Sequence, residues 1–255
     1  MFKLLRTLFF LLLIAQTSLA QEAIFTDRPN TTDAIQLLAP GTLQTEFGYS
    51  RTKDGDFTSS DIPNINLKYG ITNWLEMRLQ TSYSRDKMDI EGIDTLSNEV
   101  DGLTPITIAP KIKVVEQNFL RPAITFAPTF TPGSIGAEGF QYDHFNYGFR
   151  LLLEHVFNDK FSWSHGFGAD WDDSRETTWA YSSAFSASLT GNLGAFAEIY
   201  GYFAADFPSY HVFDAGLTYV VTPDLQLDLA GGLPLSDYAP DYTLTVGLSW
   251  RTSFK

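Results

Sequence analysis

Charged side chains recur along this chain at spacings that would gather them on one enclosed surface: Glu46, Lys68, Glu76, Arg78, Lys111, Lys113, Arg150, Glu154, Asp170, Glu198, Asp214, Asp228 and Arg251. Each falls in a run where polar and apolar residues alternate, so each belongs to the polar face of a strand. Bases predominate from Lys68 to Arg150 and acids from Glu154 to Asp228. Two such walls facing each other would set a transverse field that orients dipolar solutes. Equally, opposite charges could pair across neighbouring strands and fill the interior. Covalent chemistry is not expected. The chain has no Cys, and its four histidines, His144, His155, His165 and His211, stand outside any His-Glu-x-x-His motif. A Gly-x-Ser-x-Gly elbow is absent as well. The expectation is therefore no catalytic, cofactor-binding or metal-ligating residue, and a protein that is not an enzyme. His155 and His165 share an aromatic face on either side of one turn, which suits an amphipathic interface role.

The elements that position these charges are strands with two different faces. In the last run Tyr242, Leu244, Val246, Leu248, Trp250 and Phe254 fall on one side, and Thr243, Thr245, Gly247, Ser249 and Arg251 on the other. The third run sets Leu75, Met77, Leu79 and Tyr83 against Glu76, Arg78, Gln80 and Ser82. An apolar face could meet a second sheet, as in a sandwich, or lipid, with the polar face turned to a wet lumen. A closed barrel removes the edges that a sandwich must protect. The pattern predicts about twelve antiparallel strands, near 41–51, 61–69, 74–84, 103–115, 119–130, 144–156, 160–171, 178–189, 193–205, 210–221, 224–234 and 242–253. Tight turns are predicted at 70–73, 116–118, 158–159, 190–192 and 222–224, alternating with mostly longer links at 52–60, 85–102, 131–143, 172–177, 206–209 and 235–241. Short periplasmic turns and longer extracellular loops are the sidedness of an outer-membrane barrel, and an even count leaves both termini in the periplasm.

The amino end supports that location. Lys3 and Arg6 precede an apolar run from Leu8 to Ala15, followed by Ser18-Leu19-Ala20, so residues 1–20 read as a cleaved signal peptide. Residues 21–40 form a polar lead that carries Asp27 and Arg28, and residues 41–255 the barrel. The lead either folds into the lumen as a plug, with Asp27 and Arg28 as its charged contacts, or hangs as a mobile tail. A net charge of −13 argues against nucleic acid as a partner. Aromatic content is 15% and charge only 18%, low for an acidic soluble protein and natural for a lipid-facing wall. The 85–102 link, with Asp86, Asp89, Glu91, Asp94, Glu99 and Asp101, reads as a solvated, self-repelling loop without a calcium-loop pattern.

Several stretches resemble the outer-membrane transporter family named for the meta-cleavage (MetA) pathway of phenol degradation. The lead Thr26-Asp27-Arg28-Pro29-Asn30 and the strand Gln44-Thr45-Glu46-Phe47-Gly48 resemble its opening motif. Tyr69-Gly70-Ile71-Thr72-Asn73-Trp74 resembles its first turn, and Asp101-Gly102-Leu103-Thr104-Pro105 and Thr222-Pro223-Asp224-Leu225 resemble later motifs. The resemblance implies an outer-membrane β-barrel and passage of small molecules. The function expected is a passive channel for small solutes, hydrophobic or aromatic ones among the candidates. The competing expectation is a non-conducting barrel with a structural or surface-binding role. The implied partners are outer-membrane lipid and lipopolysaccharide, a small-molecule solute, and the barrel-assembly machinery, which reads an aromatic terminal strand.

Overall fold

The computed structural model describes residues 24–89, 97–173 and 176–254, and the signal-peptide reading of residues 1–20 lies outside them. The strands are β1 (Thr42–Asp54), β2 (Phe57–Thr72), β3 (Leu75–Asp89), β4 (Ser97–Leu103), β5 (Thr107–Ile108), β6 (Lys111–Val115), β7 (Ala123–Thr131), β8 (Asn146–Asn158), β9 (Phe161–Trp171), β10 (Thr177–Ser188), β11 (Leu193–Phe203), β12 (Tyr210–Thr222), β13 (Leu225–Pro234) and β14 (Tyr242–Ser253). Sequential neighbours pair antiparallel, and β1 pairs with β14 from Thr42↔Ser253 to Lys53↔Tyr242, which closes the sheet. Because β4, β5 and β6 all pair with β3, they are pieces of one stave, and the barrel has twelve.

The fourth stave departs from the uninterrupted strand predicted over 103–115. Pro105 and Pro110 stand in its two gaps, and proline has no N–H to give to a ladder. Thr104 and Ala109 N–H groups still bond back to β3, at Ser82 O (2.8 Å) and Arg78 O (2.9 Å). Two predicted loops prove to be strand. The 52–60 link shrinks to a tight turn at Gly55-Asp56, with Gly55 at φ 53°, so short and long connections do not alternate strictly. The 85–102 link is an extension of the β3–β4 hairpin, although Glu91 and Asp94 lie outside the described residues. Its register explains why the acids do not repel the chain into a loop. Arg85 sits opposite Asp101 and Lys87 opposite Glu99, and Arg85 Nε lies 3.1 Å from Glu99. The turn predicted at 116–118 runs on to 122, with Asn118 bridged to Arg121.

The barrel is turned inside out relative to a water-soluble domain. Phe47, Leu79, Phe167, Leu229, Val246 and Leu248 are exposed on its outer wall, while Lys68, Glu76 and Lys111 are fully buried inside it. Aromatic side chains gather near both rims of the apolar belt, with Trp74, Phe161 and Trp163 at the turn end and Tyr147, Trp179 and Phe203 at the loop end. Tyr147 stacks on Trp171 at 5.2 Å and Phe167 on Trp179 at 5.7 Å, cross-strand pairs that stiffen the outer surface. His155 stacks on Phe157 and His165 packs against Trp163 on the same outer face.

Candidate functional site

Residues 24–40 run through the lumen, where they have no strand partner and take their hydrogen bonds from the wall. Ile24 N–H bonds to Pro223 O (3.1 Å) at the turn end, Gln44 Nε2 donates to Phe25 O (2.8 Å), and Gln226 Nε2 donates to the Thr26 hydroxyl (2.7 Å). The segment crosses to the far wall at Thr31 and Thr32. It returns past Ile35, whose carbonyl accepts from Thr125 (3.0 Å), and Leu38, whose N–H bonds to Glu76 (2.8 Å). A satisfied backbone in the middle of a polar tunnel is what this inward-facing chemistry achieves.

Asp27 is the centre of the contacts on the basic wall. Lys111 Nζ lies 2.8 Å from its Oδ1, and Lys68 Nζ and Arg78 Nη1 each lie 3.2 Å from its Oδ2. Asn66 Nδ2 also donates to Oδ2 (3.2 Å), and Ala34 N–H to Oδ1 (3.1 Å). Burial disfavours an isolated carboxylate, and the three cations around Asp27 offset that cost. The wall supplies two carboxylates of its own, Glu46 at 3.1 Å from Lys68 and Glu76 at 3.8 Å from Lys111. Asp33, farther along the segment, reaches Arg78 at 2.6 Å.

On the acidic wall the segment presents donors. Glu198 accepts from the N–H groups of Thr31 and Thr32, each at 2.7 Å, and from the Thr32 hydroxyl, which also lies 2.7 Å from Ser182 Oγ. Asp214 stands opposite Glu198 in the β11–β12 ladder. Gln36 Nε2 donates to Glu154 (2.7 Å). Arg28 Nη2 lies 3.2 Å from Asp228 and 2.5 Å from the Thr245 hydroxyl. Its guanidinium lies in a slot made by two glycines that face each other in register, Gly48 and Gly247; a Cβ on either would come within 2.5 Å of the Arg28 side chain. The two walls of opposite charge are thus matched by one segment of opposite polarity, acids toward the bases and donors toward the acids.

The other charges of the polar face pair locally. Arg150 makes a two-pronged bond to Asp170 (2.9 and 2.6 Å), a cross-strand fork between β8 and β9. Lys113 sits half-exposed at the turn end beside Glu116 (3.2 Å), and Arg251 bonds to Asp224 (2.9 Å) and Pro223 O there. Sequence reasoning missed Thr31, Thr32, Asp33, Gln36 and the glycine slot, and it gave Asn66, Thr245 and Gly247 a place on the polar face but no role. Gly48 and Gly247 meet only once the β1–β14 register is known.

The segment separates two cavities. One, of about 560 Å³, opens toward the loop end and is bordered by Asn64, Gln80, Ser82, Thr107, Thr129 and Asn146. The other, of about 410 Å³, opens toward the turn end beside Glu154, Ser164 and Phe196. Arg28, Asn30 and Asp33 line both, so this short stretch is the partition between them.

The fold is that of outer-membrane channels and porins. The COG4313 outer membrane channel from Pseudomonas putida F1 superimposes with a TM-score of 0.70 at 11% identity, covering 88% of this chain and 100% of that one. The NanC porin gives 0.56 at 10% identity over 82% and 98%. The translocator domain of the autotransporter NalP from Neisseria meningitidis gives 0.52 at 9% over 84% and 90%. No curated protein matches the sequence. A family model does match, over residues 26–252, from the lumen segment to the closing strand, and on that match the chain belongs to the family described as MetA-pathway of phenol degradation.

Proposed function

We propose that this protein is an outer-membrane channel for the passive passage of small solutes, held shut by residues 24–40. The observation that carries the reading is the partition: a cavity that opens toward the loop end and one that opens toward the turn end share Arg28, Asn30 and Asp33 as their common border. Twelve staves enclose more room than side chains of an eight-stranded barrel can fill. Here a peptide segment, anchored by side chains and not by a ladder, takes up that room. Such a plug can move without breaking the wall. The turn end faces the periplasm and the loop end the outside, so the charged β3–β4 hairpin meets the lipopolysaccharide surface and the belt meets lipid. Export by removal of residues 1–20 and insertion by the barrel-assembly machinery belong to the same reading.

The test uses the absence of cysteine from the chain. Thr32→Cys with Ser182→Cys replaces two hydroxyls 2.7 Å apart, close enough for a disulfide after small adjustment. In planar bilayers the oxidised double variant is expected to pass no current, and reduction is expected to restore discrete steps like those of the unmodified protein. A folded barrel that conducts in neither state would refute the channel reading and favour a closed, structural barrel. Equal current in both states would refute the plug.

A further inference from the structure

We propose that the Asp27 carboxylate is a tethered stand-in for the solute: the Lys68, Arg78 and Lys111 cluster is a binding site for a small organic carboxylate, which displaces Asp27 and thereby frees the segment. The proposal rests on the channel reading and names the solute class of the same lumen.

The first argument is charge. The basic wall carries three cations, each at most 1% exposed, against its own Glu46 and Glu76. When the segment leaves, Asp27 and Asp33 leave with it, and one positive charge stays enclosed without a wall partner. An unpaired buried charge is costly, so the open lumen favours one anion at this position. The second argument is shape. Each Asp27 oxygen has its own set of donors: Lys111 with Ala34 N–H on Oδ1, and Lys68, Arg78 and Asn66 on Oδ2. Apart from Ala34, all of these donors belong to the wall and remain when the segment moves. Donors split between two oxygens fit a carboxylate better than a spherical halide. The third argument is access. Asp27 and Asn66 line the loop-end cavity of about 560 Å³, a volume in the range that holds a drug-sized ligand. A solute arriving from the loop end therefore meets the carboxylate edge first. A tethered group competes at an effective concentration on the order of millimolar, so a free carboxylate at comparable concentration shifts the balance.

Sodium benzoate is the probe, with uncharged benzamide and added sodium chloride as controls, on the full-length mature chain. In planar bilayers benzoate is expected to raise the open fraction saturably, whereas benzamide and chloride leave it unchanged. Asp27→Asn, which removes the competitor's charge while keeping its shape, is expected to lower the half-maximal benzoate concentration by about tenfold or more. Lys111→Met is expected to abolish the response. A binding readout independent of current comes from thermal unfolding in detergent: benzoate raises the midpoint of Asp27→Asn, and of Asp27→Ala where that variant folds, and benzamide does not. Channels that conduct without any benzoate-specific shift in either assay overturn the site and leave the channel standing. A barrel that never conducts yet shows the benzoate shift overturns the channel reading and keeps the anion site.

Discussion

Gly48→Ala offers the sharpest perturbation of the closed state, because it acts on the segment through the wall. A Cβ at Gly48 would lie 2.2 Å from Cζ and 2.3 Å from Nη1 of Arg28, and no backbone atom is among its nearest contacts. The flexible guanidinium must therefore move while the β1–β14 ladder stays in place. Moving it breaks the 3.2 Å pair with Asp228 and the 2.5 Å bond to Thr245. Hydrogen bonds to charged groups contribute about 1.5–3 kcal/mol each, and leaving one member of a buried pair alone costs about 3–5 kcal/mol. Arg28 is 11% exposed, so the lower end of that range, about 3 kcal/mol, is the appropriate expectation. At about 1.4 kcal/mol per factor of ten, the ratio of open to closed barrel should rise by roughly a hundredfold. Single-channel recording reads this as open fraction, and thermal unfolding of the purified barrel should change little. Arg28→Ala should mimic the effect, and the double variant should be no more open than Arg28→Ala alone, since both changes remove one interaction. An open fraction within about threefold of the parent, or additive effects in the double variant, would refute the argument.

Other expectations follow from the same contacts. Glu198→Gln keeps one acceptor oxygen but sets an amide donor against one of the Thr31 and Thr32 N–H groups, and should weaken closure by about 1–3 kcal/mol, seen as longer open dwell times. Gly70→Ala differs from Gly48→Ala because its Cβ would lie 2.2 Å from Ala39 O and 2.5 Å from Leu38 O, backbone atoms that cannot swing away. It should therefore lower the thermal midpoint of the barrel base as well as disturb the segment. Val246→Arg places a charge on the lipid face and should cost up to about 2–4 kcal/mol in bilayer unfolding titrations, whereas a polar exchange at the neighbouring inward Thr245 should act mainly on Arg28.

Much of the wall was legible in the sequence because a barrel strand faces two solvents, and period two records both. The runs ending in Phe254 and Tyr83 identify strand and face without any knowledge of partners. What parity does not record is which strand lies alongside. The hairpin over 85–102 looked like a loop because its acids were counted along the chain; across the ladder, Asp101 meets Arg85 and Glu99 meets Lys87. The fourth stave looked continuous because alternation is indifferent to a missing N–H, yet Pro105 and Pro110 interrupt the pairing. The lumen segment has no period at all, since each of its residues answers to a different wall, and Thr31, Asp33 and Gln36 carried no signal that set them apart from any polar linker.

The two glycines that receive Arg28 sit on strands from opposite ends of the chain, and its hydrogen bonds reach 200 and 217 residues away in sequence. Contacts of such separation form after the shorter-range ones, because the loop they close must first be gathered in. The Asp228 and Thr245 positions are brought beside Gly48 only when β14 joins β1. Docking of Arg28 is therefore expected to wait for that seam, whereas the Asp27 bonds to Arg78 and Lys111 span only 51 and 84 residues and do not require it. Docking of Arg28 then reports a correctly registered seam: a slip of one residue between β1 and β14 would set a side chain across the slot and leave Arg28 without its seat.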